Sequence, residues 1–266
     1  MVVLPAQGTG APSLDPLQEA ANLLVQAHHS QQPLVELPIH CRPNTFEQAY
    51  AIQDLVLAQL GPIGGWKVGA ASPEAEPTCA PLPRSHIQVG PTRLDGSKFR
   101  LRGVEVEAGA VLQHDLPPRP QPYTLDEVLQ AIGYVCVAIE MVESRFQNRD
   151  QVGRLSTLAD LASHGAAIYL PTGITPHPVT AWQLPHVRLQ LDSGHTLASL
   201  SENPAGEVTR LLVWLANHTS RRKTGLLRGQ LIITGSCLPL LAARAVDTIH
   251  AELAGIGQLR VSLGVE

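Results

Sequence analysis

The feature that most constrains this chain is one acid set in an apolar run, Glu140 within Val135-Cys136-Val137-Ala138-Ile139-Glu140-Met141-Val142. A run this short and this β-branched predicts a strand buried on both faces. An ionised carboxylate inside it is costly unless a cation or a dense set of donors meets it. Some thirty residues earlier, Val104-Glu105-Val106-Glu107 alternates apolar and polar residues. On a strand, Glu105 and Glu107 therefore project from one face and the valines from the other. Together the three glutamates offer an all-oxygen donor set, which suits a hard divalent ion such as Mg²⁺ or Mn²⁺, or Ca²⁺, better than zinc. Glu-x-Glu alone also describes a solvated edge strand, and Glu140 alone also fits a buried pair with an arginine.

The chain's 266 residues are enough to bury a full core. A net charge of -4 argues against nucleic acid or an anionic membrane as the main partner, and the longest basic run is Arg221-Arg222-Lys223. There is no basic, apolar leader at Met1–Gly8 and no apolar stretch of about twenty residues, so the expectation is a cytoplasmic protein. The four cysteines, Cys41, Cys79, Cys136 and Cys237, are scattered without a Cys-x-x-Cys, indicating neither a disulfide framework nor a zinc site made of thiolates. Lysine is scarce: three lysines stand against sixteen arginines. Lys67, held between glycines in Gly65-Trp66-Lys67-Val68-Gly69, thus invites a chemical reason, because ammonium can give up a proton where guanidinium cannot. By itself it also reads as a surface lysine in a glycine turn.

Along the chain, residues 1–13 are rich in Pro, Gly, Ala and Ser and read as disordered. A helical stripe runs from Asp15 to about His29, and Thr45-Phe46-Glu47-Gln48 opens a second helix lasting to about Leu60. Gly61-Pro62-Ile63-Gly64-Gly65 breaks it. Strands are predicted at 66–69, 87–89, 104–112, 134–142, 166–170, 186–191, 231–234 and 259–263, with helices at 124–132 and 207–219. Strands not alternated with helices predict a mixed or antiparallel α+β architecture. The expected division is a tail with two helices over 1–62 and a β-rich metal-binding domain over 63–266.

Gly65-Trp66-Lys67-Val68-Gly69, Val104-Glu105-Val106-Glu107, Ala138-Ile139-Glu140-Met141-Val142-Glu143-Ser144-Arg145, Ala159-Asp160-Leu161-Ala162-Ser163-His164-Gly165 and Thr234-Gly235-Ser236 occur in this order. The set resembles the 2-keto-4-pentenoate hydratase and 4-oxalocrotonate decarboxylase group of the fumarylacetoacetate hydrolase superfamily, from about Thr45 to the C-terminus. The resemblance implies a mixed β-roll or sandwich preceded by helices, a Mg²⁺ or Mn²⁺ site at Glu105, Glu107 and Glu140, a catalytic Lys67 and a homo-oligomer. It also points to Ser163 and Ser236 as substrate-side residues, against the plain readings of a capping serine and a strand end. The sequence departs from the group at two places. Leu161 stands where relatives commonly carry Asn, and the Asp usually found after the Gly-x-Lys-x-Gly strand has no counterpart in 72–87.

The implied activity is a hydro-lyase that adds water to a 2-hydroxy-2,4-dienoate, giving a 4-hydroxy-2-oxo acid, as in aromatic catabolism. Decarboxylation of a 2-oxo-3-enedioate is the alternative. A non-catalytic 2-oxo-acid-binding partner subunit is the reading the two departures motivate. An acylpyruvate-type hydrolase fits less well, because no histidine–acid pair is evident where water activation requires one. Beside a divalent ion the Lys67 pKa is expected to fall. Arg145 is expected either to pair with Glu143 or to meet a second substrate carboxylate, and His164, next to Ser163, is the histidine to mutate first.

Overall fold

A computed structural model describes residues 15–175, 186–199 and 203–265. The stretch expected to be disordered, 1–13, lies outside them. Helix α1 (Pro16–Ser30) opens with Asp15 accepting the Leu17 N–H and with proline in the first turn, where a missing N–H costs nothing. Its Ala20, Ala21, Leu24 and Val25 face α2 (Phe46–Leu60), which buries Ala49, Ile52 and Val56 and is capped by the Thr45 hydroxyl. Gly61, at a φ of 113°, ends α2 and turns the chain into the sheet.

The larger sheet contains β1 (Ile63–Gly69), β2 (Thr78–Pro83), β3 (Ile87–Val89), β5 (Gly103–Leu112), β6 (Ile132–Val142), β7 (His164–Ile174), β10 (Leu231–Ser236) and the short β11 (Leu241–Ala242). Their order is β2-β1-β10-β5-β6-β7-β3, with β11 on the end of β5, and both parallel and antiparallel pairs occur. Strands β2 and β3 stand at opposite edges of this order, yet only Arg84–His86 separates them in the chain. The sheet therefore curls until its edges approach. Closure is tight: a Cβ on Gly64 would lie 2.6 Å from the Arg84 Cα, which is why that position takes glycine.

Alternation along β5 and β6 then sorts residues into two environments. Inside the curl sit Leu82, Val111, Cys136, Ala138, Ala167, Leu231 and Ile233, a small apolar cluster. Outside, Val104, Val106, Val137, Ile139 and Met141 join the main core with the second sheet, β4 (Thr92–Asp95), β8 (Val187–Leu191), β9 (Thr196–Ser199), β12 (Thr248–Leu253) and β13 (Gly257–Gly264), ordered β4-β13-β12-β8-β9. Each fully buried aliphatic side chain contributes roughly 1.5–3 kcal/mol, so the outer face of β5 and β6 anchors the fold and leaves the inner face free to carry charge. Helices α3 (Leu125–Ala131), with a complete Thr124/Glu127 capping box, α4 (Arg154–Ala159) and α5 (Val208–Arg221) complete the structure.

Candidate metal centre

The antiparallel register of β5 and β6 sets Glu105 directly opposite Glu140 and Glu107 opposite Ala138. All three glutamates point into the curl, and one carboxylate oxygen of each lies within 4.8 Å of the others. Like charges directly across a strand pair are destabilising, so the Glu105–Glu140 pair calls for neutralising groups around it. Glu140 and Glu107 are sealed from solvent, whereas Glu105 is half-buried and forms the open side.

Lys67 comes in from β1, with β10 and β5 between it and β6, and its Nζ donates to both Glu140 oxygens at 2.8 and 2.7 Å and to the Ala162 carbonyl at 3.1 Å. His164 Nδ1 lies 2.8 Å from Glu140 Oε1, and the Gly235 N–H donates to Glu107 Oε2. Burial acts to raise the Glu140 carboxyl, but Lys67 and His164 outweigh it and hold the group well below its ordinary value. Burial, and then the neighbouring carboxylates, raise Glu105 and push Glu107 well above the ordinary carboxylate range. One ammonium thus faces three carboxylates, with two of them resisting ionisation. A divalent cation would supply the missing charge, and the all-oxygen donor set fits a hard one.

Within the protein itself the Lys67 pKa is set by burial against three carboxylates, while the fall expected beside a divalent ion belongs to the ion-bound site. Burial lowers its pKa, but Glu140, Glu105 and Glu107 together overcome that and raise it. The three glutamates converge as the strand pattern predicts, whereas the short Lys67–Glu140 contact has no counterpart in that pattern. A histidine–acid pair, not evident in the sequence, does form between His164 and Glu140. Its Nε2 is buried without a partner, so the pair presents no base to bulk water; burial holds the ring below its ordinary pKa.

Ser163 belongs to an unusual turn. Leu161, Ala162 and Ser163 take φ values of 47°, 51° and 60°, three successive left-handed residues with no glycine, a strained arrangement of the kind that collects at functional sites. The turn aims the Ala162 carbonyl at Lys67. It is held by Arg145, whose guanidinium bonds the Asp160 carboxylate, the Asp160 carbonyl at 2.8 Å and the His164 carbonyl at 2.7 Å. Arg145 therefore does not pair with Glu143, which instead accepts the Leu101 N–H. The Ser163 hydroxyl is buried with no partner. Ser236 Oγ is occupied locally, donating to the Leu238 carbonyl and accepting its N–H, although Ser236 stands opposite Glu107. Leu161, at the Asn position, is buried in the main core. Beside Lys67, β2 aligns Ala80, with Cys79 and Thr78 following, so no acid stands next to the lysine on that strand.

Residues 62–263 match the model of the fumarylacetoacetate (FAA) hydrolase C-terminal family. The chain belongs to this family. Over 256 residues, 91% of this chain and 93% of the relative, it is 30% identical to a 2-keto-4-pentenoate hydratase of Paraburkholderia xenovorans. It is 25% identical to a 2-oxo-hept-4-ene-1,7-dioate hydratase of Escherichia coli, over 90% of this chain and 94% of that protein. The 4-oxalocrotonate decarboxylase of Pseudomonas putida G7, solved with magnesium and adipate, superposes with a TM-score of 0.79 at 21% identity, covering 94% of this chain and 98% of that one. The fold of that decarboxylase is thus shared along nearly the whole length, and the FAA hydrolase C-terminal family match covers 62–263 of it. Among the described residues no helix is long and apolar enough to cross a membrane.

Proposed function

We propose that this FAA hydrolase family member is a divalent-metal-dependent hydro-lyase acting on a 2-hydroxy-2,4-dienoate to give a 4-hydroxy-2-oxo acid. The observation that carries this reading is the convergence of Glu105, Glu107 and Glu140 with Lys67 on Glu140. The glutamates are the ligands, and Mg²⁺ or Mn²⁺ bound there supplies Lewis acidity towards the carboxylate and 2-oxo oxygens of the substrate. Glu140 shares its charge between that role and Lys67, which it holds at the inner wall of the site. Lys67 serves the substrate either as proton carrier or as a positive anchor beside its 2-oxo oxygen, and the Ala162 carbonyl accepts from its Nζ and helps hold it in place. Glu105, on the open side, marks where substrate enters. Ser163 offers a hydroxyl without another partner for the substrate carboxylate.

Full-length similarity to the hydratases supports water addition over loss of CO₂. The engagement of Arg145 by Asp160 supports a substrate with one carboxylate, since the guanidinium considered for a second carboxylate is occupied. The reading expects a cytoplasmic homo-oligomer. The purified protein with Mg²⁺ or Mn²⁺ is expected to bleach the absorbance of a 2-hydroxypentadienoate, and Glu105→Gln to remove that activity. Stoichiometric CO₂ from an oxalocrotonate would establish the decarboxylase instead. Oxalate binding without turnover on any dienoate would establish a binding subunit.

A further inference from the structure

A second convergence of donors lies outside the carboxylate centre, where the connector between α1 and α2 folds back on α1. Glu19 stands in the first turn of α1. Further on the chain enters a 3-10 turn, Ile39–Cys41, which places His40 twenty-one residues after Glu19 and is closed by the Cys41 N–H on the Pro38 carbonyl at 3.0 Å. The Arg42 guanidinium clamps its start by donating to the Leu37 carbonyl at 3.2 and 2.8 Å. As a result His40 Nε2 lies 3.0 Å from Glu19 Oε2, and a Glu19 oxygen, a His40 nitrogen and the Cys41 sulfur all fall within 4.8 Å of one another.

We propose that Glu19, His40 and Cys41 form a second metal site, selective for zinc or a similar borderline ion. Carboxylate, imidazole and thiolate are the three protein donors zinc takes, and a tetrahedral zinc holds such donors roughly 3.3–3.8 Å apart. The Glu19–His40 spacing, 3.0 Å, is near that already, and the sulfur lies within 4.8 Å of both donors. Its approach to the Pro38 carbonyl, at 3.5 Å, is a weak thiol hydrogen bond that a metal bond outcompetes. Cys41 is 2% exposed, while the His40 and Glu19 side chains are 61% and 36% exposed. The sulfur thus forms the floor of the site, and the other two donors form a rim open to an entering ion. Binding converts the thiol to a metal-bound thiolate and releases its proton to solvent. The ion would fasten the connector to α1. This site and the all-oxygen centre would select different metals, the softer donor set taking zinc and the harder one magnesium or manganese.

The two sites are separated by titrating the metal-stripped, full-length protein with Co²⁺, because only a thiolate site gives a sulfur-to-cobalt charge-transfer band in the near ultraviolet. The wild type is expected to develop that band to saturation, and zinc to quench it. Cys41→Ser is expected to abolish it, and His40→Ala, at an exposed position that leaves the thiol in place, to weaken binding by at least about 10–100-fold, the cost of losing even an outer-shell partner. Magnesium-dependent turnover is expected to stay unchanged in both variants, which keeps this proposal independent of the catalytic one. No band in the wild type, a band that persists in Cys41→Ser, or unchanged cobalt affinity in His40→Ala would each overturn it.

Discussion

Two buried ion clusters meet at the same end of the curled sheet, and they are built on opposite plans. Around Arg145 and Asp160, one positive and one negative group are matched, and the spare lone pairs and N–H groups are filled by Ser144 Oγ, the Arg145 backbone N–H and two carbonyls. Around Glu140, three carboxylates share a single ammonium, and two of them are driven towards the neutral form. A satisfied pair holds geometry, here the left-handed turn 161–163, and asks for no ligand. An unbalanced set is costly by itself and is kept where something bound supplies the balance.

That contrast fixes what each substitution does. The largest effect is expected from Glu105→Gln, which keeps size and hydrogen bonding but removes a ligand charge. Turnover should fall by at least about 10³-fold, with Mn²⁺ affinity lost in calorimetry and the fold kept by circular dichroism. Asp160→Asn strands a buried guanidinium instead and should cost about 3–5 kcal/mol in denaturant unfolding. A stable Asp160→Asn protein would erase the distinction between the two clusters. Lys67→Met should lower kcat by about 10²–10³-fold while metal still binds, read by steady-state kinetics beside a Mn²⁺ titration. His164→Asn retains an N–H donor towards Glu140 whereas His164→Ala does not, so metal affinity should fall about 10–100-fold in the alanine variant and much less in the asparagine one.

The smallest effect is in pH. The Glu107 carboxyl is raised well above its ordinary 4.5 in the metal-free fold. Its contribution to stability is therefore complete below pH 4.5 and is lost as pH rises towards the folded value. Metal-free Glu107→Gln lacks that loss, so its Tm should rise relative to the wild type as pH increases from 4.5 to neutrality, and added Mn²⁺ should reverse the ranking.

The carboxylate centre is legible because strand periodicity writes it directly into Glu105-x-Glu107, and because a lone acid in the apolar run 135–142 is too costly to stand there without a cationic partner. The paired helices are legible from Asp15 and Thr45. Strand β2 is not, because Pro81 and Pro83 argue against a strand, yet β2 is an edge strand, where proline is tolerated. Strand β12 also escapes, although Ile249, Ala251 and Leu253 alternate cleanly with Thr248, His250 and Glu252, because alanine and glutamate dilute its β character. Nothing local announces the left-handed turn, since Leu161 and Ala162 carry no glycine or asparagine to flag it. The bonds that hold it run from Arg145, fifteen residues back along the chain from Asp160. The Lys67–Glu140 pairing is equally hidden, because it is made by sheet order across 73 residues of sequence.

The central claim is that Glu105, Glu107 and Glu140 jointly hold one divalent ion to which a 2-oxo acid binds. The most direct measurement is the anomalous difference map of crystals soaked with Mn²⁺ and oxalate. A manganese peak about 2.0–2.2 Å from an oxygen of each glutamate, with both oxalate carboxylates completing its coordination, is the predicted result. Occupied sites elsewhere, with Glu140 still bound only by Lys67 and His164, would contradict it.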